Sequence, residues 1–192
     1  MVPVITIQRE YAAGGRTVAR LLSEKLNIPW YDKDFIKETA KRCALSEDAI
    51  GKNSEEMNSS TRILDTLIDS SNYDKVFYAQ RECIIKLAKE PCIIVGRAAG
   101  AILDEVGIPS LHVYLYSDDE HKIEHAKELN EYGKMDILKY IQKRDKARCN
   151  FYKAYTGKDL ADKHNYDICL NTALGHEICA NVIVTIVKSC NK

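Results

Sequence analysis

No sign of charge prevails in this chain: 28 Lys and Arg balance 28 Asp and Glu in 192 residues, for a formal net charge of zero. Such a balance excludes a global positive field that would recruit nucleic acid or an anionic membrane, so any cationic site has to be local. No apolar run approaches the ~20 residues needed to span a bilayer, and the N-terminus lacks the charged region, apolar core and cleavage site of a signal peptide. A cytoplasmic setting without membrane or nucleic-acid partners is therefore expected. Cysteine chemistry is also thin. The seven cysteines are odd in number and none stands in C-x-x-C spacing, which speaks against a disulfide framework or a zinc site. Cys92 and Cys169 lie inside apolar runs that read as central strands, so free, mostly buried thiols are expected. His121 and His125 stand four apart in HKIEH, but no third ligand and no zincin glutamate accompany them. That stretch reads as a solvated helix face, and no metal residues are assigned.

What the chain does have is 45% apolar and 29% charged residues, enough for one substantial core in a single domain over 1–192. Its most informative stretch is VITIQREYAAGGRTVARLLSEKL, residues 4 to 26. Val4, Ile5, Thr6 and Ile7 form a β-branched run that gives way to a polar, glycine-bearing turn. An amphipathic helix follows, with Val18, Ala19, Leu21, Leu22 and Leu26 on one side. The helix start, with its free N–H groups and positive dipole end, suits an anion, and Gly14 and Gly15 let a ligand approach the backbone. A Walker A loop would read G-x-x-x-x-G-K-[ST]. With Gly14 on the second glycine, Arg9 takes the place of the first, Gly15 that of the lysine and Arg16 that of the Ser/Thr. Three readings stay open: Arg16, with Thr17, supplies the missing cation and hydroxyl; the loop holds phosphate weakly and has lost transfer chemistry; or the turn is an ordinary strand-to-helix connection.

Further along, Pro29 to Tyr31 make a short extended piece ending at Asp32, which either caps the next helix or faces a substrate from a strand end. From 44 to 90 the pattern is polar, then helical, with one helix around Ile63 to Ile68 and another from about Asp74 to Lys89. This is an expected helical insertion over a site. Cys92 to Val95 reads as a strand buried on both faces, closed by Gly96-Arg97, and Leu111 to Tyr116 as another. Asp118 is placed to cap a helix through Leu129, and Met135 to Tyr155 form a long helix stopped by Gly157. On it Ile141, Arg144, Asp145, Arg148, Tyr152 and Tyr155 share a stripe, read either as a phosphate clamp or as paired surface charges. Tyr166 to Leu170 make the last strand and Ile178 to Val187 the closing helix.

Five short strands separated by helices predict a three-layer α/β fold with a parallel sheet. Ligands then sit beyond the strands' carboxyl ends, which gathers the loop at 9–17, Asp32, Gly96-Arg97 and Asn171 at one edge. The segments ITIQREYAAGGRTVA (5–19), PWYDKDFI (29–36), IIVGRAAG (93–100) and RDKARCNFYKAYTGKDLADKHNYDICLNT (144–172) resemble the cytidylate kinase-like family, a divergent branch of P-loop nucleoside monophosphate kinases. The resemblance implies a five-stranded parallel sheet of nucleoside monophosphate kinase type with the insertion after its second strand. It also implies an ATP and Mg²⁺ site at the first loop and a mobile lid over 130–165. Carried over by position, Gly14, Gly15, Arg16 and Thr17 would hold nucleotide phosphates. Asp32, Arg97, Asp145 and Arg148 would face the acceptor, and Arg16, Arg144 and Arg148 would be the catalytic cations. True cytidylate kinases carry D-G-R-D where this chain has Val95-Gly96-Arg97-Ala98. The expected function is ATP-dependent phosphotransfer to a nucleoside monophosphate or similar small phosphate-bearing acceptor, with a non-catalytic nucleotide sensor or scaffold as the alternative. A homodimer is compatible with this reading.

Overall fold

The protein is described by a computed structural model over residues 4–32 and 77–190. In chain order its elements are β1 (Val4–Arg9), α1 (Gly15–Leu26), β2 (Trp30–Tyr31), α2 (77–87), β3 (Ile93–Val95) and α3 (Ala99–Glu105). They continue with β4 (Ser110–Tyr116), α4 (Asp119–Leu129), α5 (Ile137–Thr156), β5 (Ile168–Asn171) and α6 (His176–Cys190). All strand pairs are parallel, in the order β2-β3-β1-β4-β5. β1 is the central strand: Ile5 and Ile7 pair with Ile93 and Val95 on one side and with Leu111 and Val113 on the other. Its carboxyl end thus lies in the middle of the edge where ligands bind in sheets of this class.

The layers follow from side-chain alternation along the strands. On one face Ile5, Ile7, Val113 and Leu115 meet Val18, Ala19 and Leu22 of α1 and Ala180, Ile183 and Val187 of α6. On the other, Val4 and Ile94 meet Cys83 and Ile84 of α2 and Ile102 and Leu103 of α3, while Tyr114 packs with Tyr152 of α5. The helix expected at 74 to 89 is thus present as α2, and it is a core layer. Its Phe77 ring stacks on Tyr155 at 3.9 Å. The remainder of the expected insertion, including the helix around Ile63 to Ile68, lies outside the described residues.

The helix ends are chemically marked as the sequence predicts. The Asp118 carboxylate accepts from the His121 amide at 2.9 Å to start α4, and Gly157 stops α5 at φ 70°. Asp136 supplies the cap of α5 by accepting from the Lys139 amide at 3.0 Å. Cys83, Cys92, Cys149, Cys169 and Cys179 are free thiols. Cys92 and Cys179 are buried, but Cys169 is exposed, because β5 is the outermost strand of the sheet and not a central one. Among the described residues no helix is long and apolar enough to cross a membrane.

Leu22 and Ile183 are fully buried between α1, α6 and the sheet. Truncating either to alanine is expected to cost about 2–5 kcal/mol by denaturant unfolding. Leu174→Ala, at a position 63% exposed, should stay within about 0.5 kcal/mol of the parent.

Candidate active site

The loop after β1 is fixed at both ends by backbone. The Glu10 amide donates to the Leu115 carbonyl at 3.0 Å, and the first helical bond of α1 runs from the Val18 amide to the Gly14 carbonyl at 3.0 Å. Gly14, the N-cap, is left-handed at φ 69° and makes no side-chain cap, so the amides of the first turn face the loop. A side chain at Gly14 is excluded twice, since a Cβ there would lie 2.0 Å from His176 Nε2. His125 closes the same side: its Nδ1 sits 2.8 Å from the Ala12 carbonyl and its ring 5.5 Å from that of His176. Of the two histidines of HKIEH, His121 is solvated and pairs with Asp118, as expected. His125 instead packs on the loop, which corrects the expectation of a wholly solvated face. Among the described residues no group of three or more His, Cys, Asp or Glu is placed to hold a metal ion.

Charged side chains gather where β1, β3 and β2 end. Arg16 donates through Nε to the Asp32 carboxylate, and Arg9 Nη2 lies 3.9 Å from the other Asp32 oxygen. Asp32 is 6% exposed. Its helix-capping alternative concerns residues from 33 onward, which lie outside the described residues. At the end of β3, Gly96, Arg97 and Ala98 are three successive left-handed residues at φ 81°, 60° and 55°. Such a turn costs about 1–3 kcal/mol for each non-glycine position, and the Arg97 it carries is buried. Arg97 lines a pocket with Gln8, Arg9, Arg148, Phe151 and Tyr152. Val95 and Ala98, beside Arg97, are both 1% exposed and packed in apolar clusters. Thr17 lies in the half-exposed first turn of α1. Asn171 caps a turn by accepting from the Ala173 amide at 3.0 Å.

Helix α5 lies over the loop, and the stripe read from the sequence is the face that does so. Asp145 accepts from the Tyr11 amide, and Arg148 Nη1 donates to the Arg9 carbonyl at 3.3 Å. The Tyr11 ring faces the guanidinium groups of Arg144 at 5.7 Å and Arg148 at 5.4 Å, within cation–π range, and its hydroxyl donates to Glu131 at 3.0 Å. Burial pushes the Tyr11 phenol up, and the hydrogen bond to Glu131 adds to it. Burial raises Asp145 as well, opposed by the Tyr11 amide and Lys122. Lys122, buried on α4, reaches Glu10 at 3.2 Å and Asp145 at 3.7 Å. Its burial alone would lower its pKa; the two carboxylates outweigh that and hold it above the ordinary lysine value.

The structure thus brings Arg16, Asp32, Arg97, Arg144, Asp145 and Arg148 to one edge. Sequence reasoning missed Arg9, Tyr11, Lys122, His125 and His176. Of these only Arg9 carried a signal, as an arginine standing where a phosphate loop begins with glycine.

A five-stranded parallel sheet in this order, with a glycine turn opening the first helix at its carboxyl edge, defines the P-loop kinase fold. The sequence matches the cytidylate kinase-like family over residues 4–174, and the chain belongs to that family. Family and fold together support a phosphotransferase of the kinase type. No curated relative matches it. Among solved structures it is similar to an uncharacterized protein from Eubacterium ventriosum ATCC 27560, at 25% identity over 97% of this chain and 99% of that one, TM-score 0.73. It shares its fold with shikimate kinase from Bacteroides thetaiotaomicron, at 13% identity, 97% and 98% coverage and TM-score 0.59. Shikimate kinase from Acinetobacter baumannii in complex with shikimate gives 16% identity, 98% and 94% coverage and TM-score 0.55.

Burial, with His125 beside it, holds the His176 imidazole below its ordinary value of 6.5, against the pull of Glu128. The folded protein favours the neutral ring, so the unfolded chain binds more protons below that value. The contribution of this group is full above about pH 6.5 and is lost as pH falls through the lower folded value. Melting temperature should therefore fall between about pH 7.5 and 5, and less steeply in His176→Gln. Equal slopes in the two proteins would contradict the assignment.

Proposed function

We propose that the protein transfers a phosphoryl group from ATP to a nucleoside monophosphate or a similar small phosphate-bearing acceptor. The observation that carries this reading is the grouping of Arg9, Arg16, Arg97 and Arg148 around the glycine turn and Asp32 at one sheet edge. In-line transfer asks little covalent chemistry of a protein; positioning and neutralisation of the moving charge dominate. Gly14, Gly15, Arg16 and Thr17 are assigned to the donor phosphates. Asp32, Arg97, Asp145 and Arg148 are assigned to the acceptor, with Arg144 mounted beside them on the Tyr11 and Tyr140 rings. Arg16 reaches a donor phosphate by leaving Asp32, and Arg148 by turning from the Arg9 carbonyl, so binding and rearrangement of the arginines belong together.

Mg²⁺ brought in with the nucleotide would supply charge neutralisation on the transferring phosphates. It takes most of its ligands from phosphate and water and asks the protein for only one or two carboxylates. Glu10 and Asp145, both within reach of Lys122, are carboxylates of that kind beside the loop, and they fit that modest requirement. The shikimate kinase from Acinetobacter baumannii that shares this fold is in complex with the small molecule shikimate, in keeping with a small-molecule acceptor here. The partners of this reading are small molecules in a cytoplasmic setting, with neither nucleic acid nor membrane. CMP is expected to be a poor acceptor, because Val95 and Ala98, packed in apolar clusters, stand where true cytidylate kinases carry carboxylates around this arginine.

One observation favours a non-catalytic nucleotide sensor as second reading: the Tyr11 amide of the loop is already taken by Asp145. The discriminating experiment is product detection with labelled Mg-ATP across a panel of monophosphates, after a thermal-shift screen for binding. Turnover is expected with some acceptor other than CMP. Removing Arg16 and Arg148 together should depress it by roughly 10³ or more, since a positioned arginine contributes about 10³–10⁵ to phosphoryl transfer. Tight ATP binding with no transfer to any acceptor would favour the sensor.

A further inference from the structure

We infer that Arg9 joins Arg16 as a cation of the phosphate loop, delivered from the end of β1 in place of the lysine such loops carry at the helix start. Gly15 and Gly96 are then glycines because the Arg9 side chain occupies the space their side chains would need. The inference rests on the phosphotransferase reading for its ligand, a nucleotide polyphosphate.

Three observations carry it. The first is the path of the side chain. A Cβ at Gly15 would lie 2.9 Å from Arg9 Cγ and 3.3 Å from Cδ, and one at Gly96 would lie 2.2 Å from Arg9 Nη1. The stem therefore passes beside the first residue of α1, and the head crosses the end of β3 toward Asp32. The second is the state of the guanidinium. The Arg9 side chain is 10% exposed, yet its one ion-pair contact among the described residues is Asp32 at 3.9 Å, beyond hydrogen-bond reach. Arg16 holds the other Asp32 oxygen directly. A mostly buried guanidinium that has no carboxylate within hydrogen-bond reach among the described residues is a ready partner for an anion that enters beside it. The third is the sequence register. Arg9 stands where a Walker loop has its first glycine and Gly15 where it has its lysine. These two departures are one exchange: the position that lost its cation faces the position that gained one. A lysine at 15 and the arginine at 9 compete for the same space, because the lysine Cβ would lie 2.9 Å from Arg9 Cγ and force the arginine stem to shift. The fork of a guanidinium also offers a phosphate two parallel donors where lysine offers a point charge.

The exchange can be reversed. Binding of inorganic triphosphate and of ATP is measured by calorimetry at low ionic strength for the parent, Arg9→Gly, Gly15→Lys and the double variant Arg9→Gly/Gly15→Lys, with folding followed by circular dichroism. Arg9→Gly should bind both probes about 10- to 100-fold more weakly, the range for a hydrogen bond to a charged group. Gly15→Lys alone should bind weakly or lose stability. The double variant, whose loop regains both the first glycine and the lysine, should recover most of the parent affinity. Parent-like binding by a folded Arg9→Gly, or a double variant that binds no better than Arg9→Gly, overturns the inference. Should Arg9→Gly not fold, Arg9→Lys and Arg9→Gln decide: retained binding in the first and loss in the second supports the role, and equal binding in both overturns it. A parent protein that binds neither probe overturns the phosphotransferase reading itself and the inference with it, a result distinct from the failure of Arg9 alone.

Discussion

Two guanidinium groups share one buried carboxylate at the centre of this protein, and much of the crevice is arranged around that imbalance. Asp32 reaches Arg9 and Arg16 because the strand order sets the ends of β2, β3 and β1 side by side. Its single negative charge is shared between the two, and Arg97 and Arg148 line the adjoining pocket with Arg9. In a chain whose formal net charge is zero, such a concentration is local by construction. Arginines with low solvent access, such as Arg9 and Arg97, stabilise an entering anion more than exposed lysines would, since water and salt screen them less.

The loop that borders this crevice is built as part of the core. Tyr11 and Ala12 belong to an apolar cluster with Ala126 of α4 and Ile141 of α5. On top of that packing Asp145 holds the Tyr11 amide, two arginines face the Tyr11 ring, and Lys122 draws Glu10 and Asp145 together. Helix α5 is therefore clamped to the loop by contacts of three kinds. Each is worth on the order of 0.5–3 kcal/mol, so movement of this helix over the site must exchange these contacts for equally good ones with a ligand. A polyphosphate offers such contacts to arginines and amides. Asp145, whose raised pKa reflects a carboxylate held out of water, would meet a polyphosphate only through a cation bound between them.

The fold was legible because periodicity speaks directly to it. The β-branched run at Val4 to Ile7, the apolar Cys92 to Val95 and the alternating Leu111 to Tyr116 each became strands within a residue or two of their expected ends. Asp118 and Gly157 marked helix ends by their own chemistry. What misled was position within the sheet: Cys169 sits in an apolar run, and only the strand order reveals that this run lies at an edge. The site was legible where a residue type is unusual for its element, as with Arg97 after a buried strand or the arginines on one stripe of α5. It was not legible where a residue looks ordinary and acts through distant partners. Lys122 reads as one more polar residue of a surface helix, and His176 as a helix start. Their roles arise from distant residues, Glu10 for Lys122 and both His125 and Gly14 for His176, and one sequence holds no signal of such pairings.

The altered loop raises the question whether the sequence has drifted from a working motif. Close packing explains why Gly14, Gly15 and Gly96 carry no side chains, since each Cβ position is filled by His176 or Arg9. It does not explain why the group filling two of them is a guanidinium. An apolar side chain of similar length would occupy the same path without the cost of desolvating a charge, and replacing buried ion pairs by apolar groups is often neutral or stabilising. Drift under selection for stability alone would thus tend to remove Arg9, Arg16 and Asp32 together. Their presence at the carboxyl edge, beside the first-turn amides of α1 and the left-handed turn at Arg97, fits a site that meets an anion.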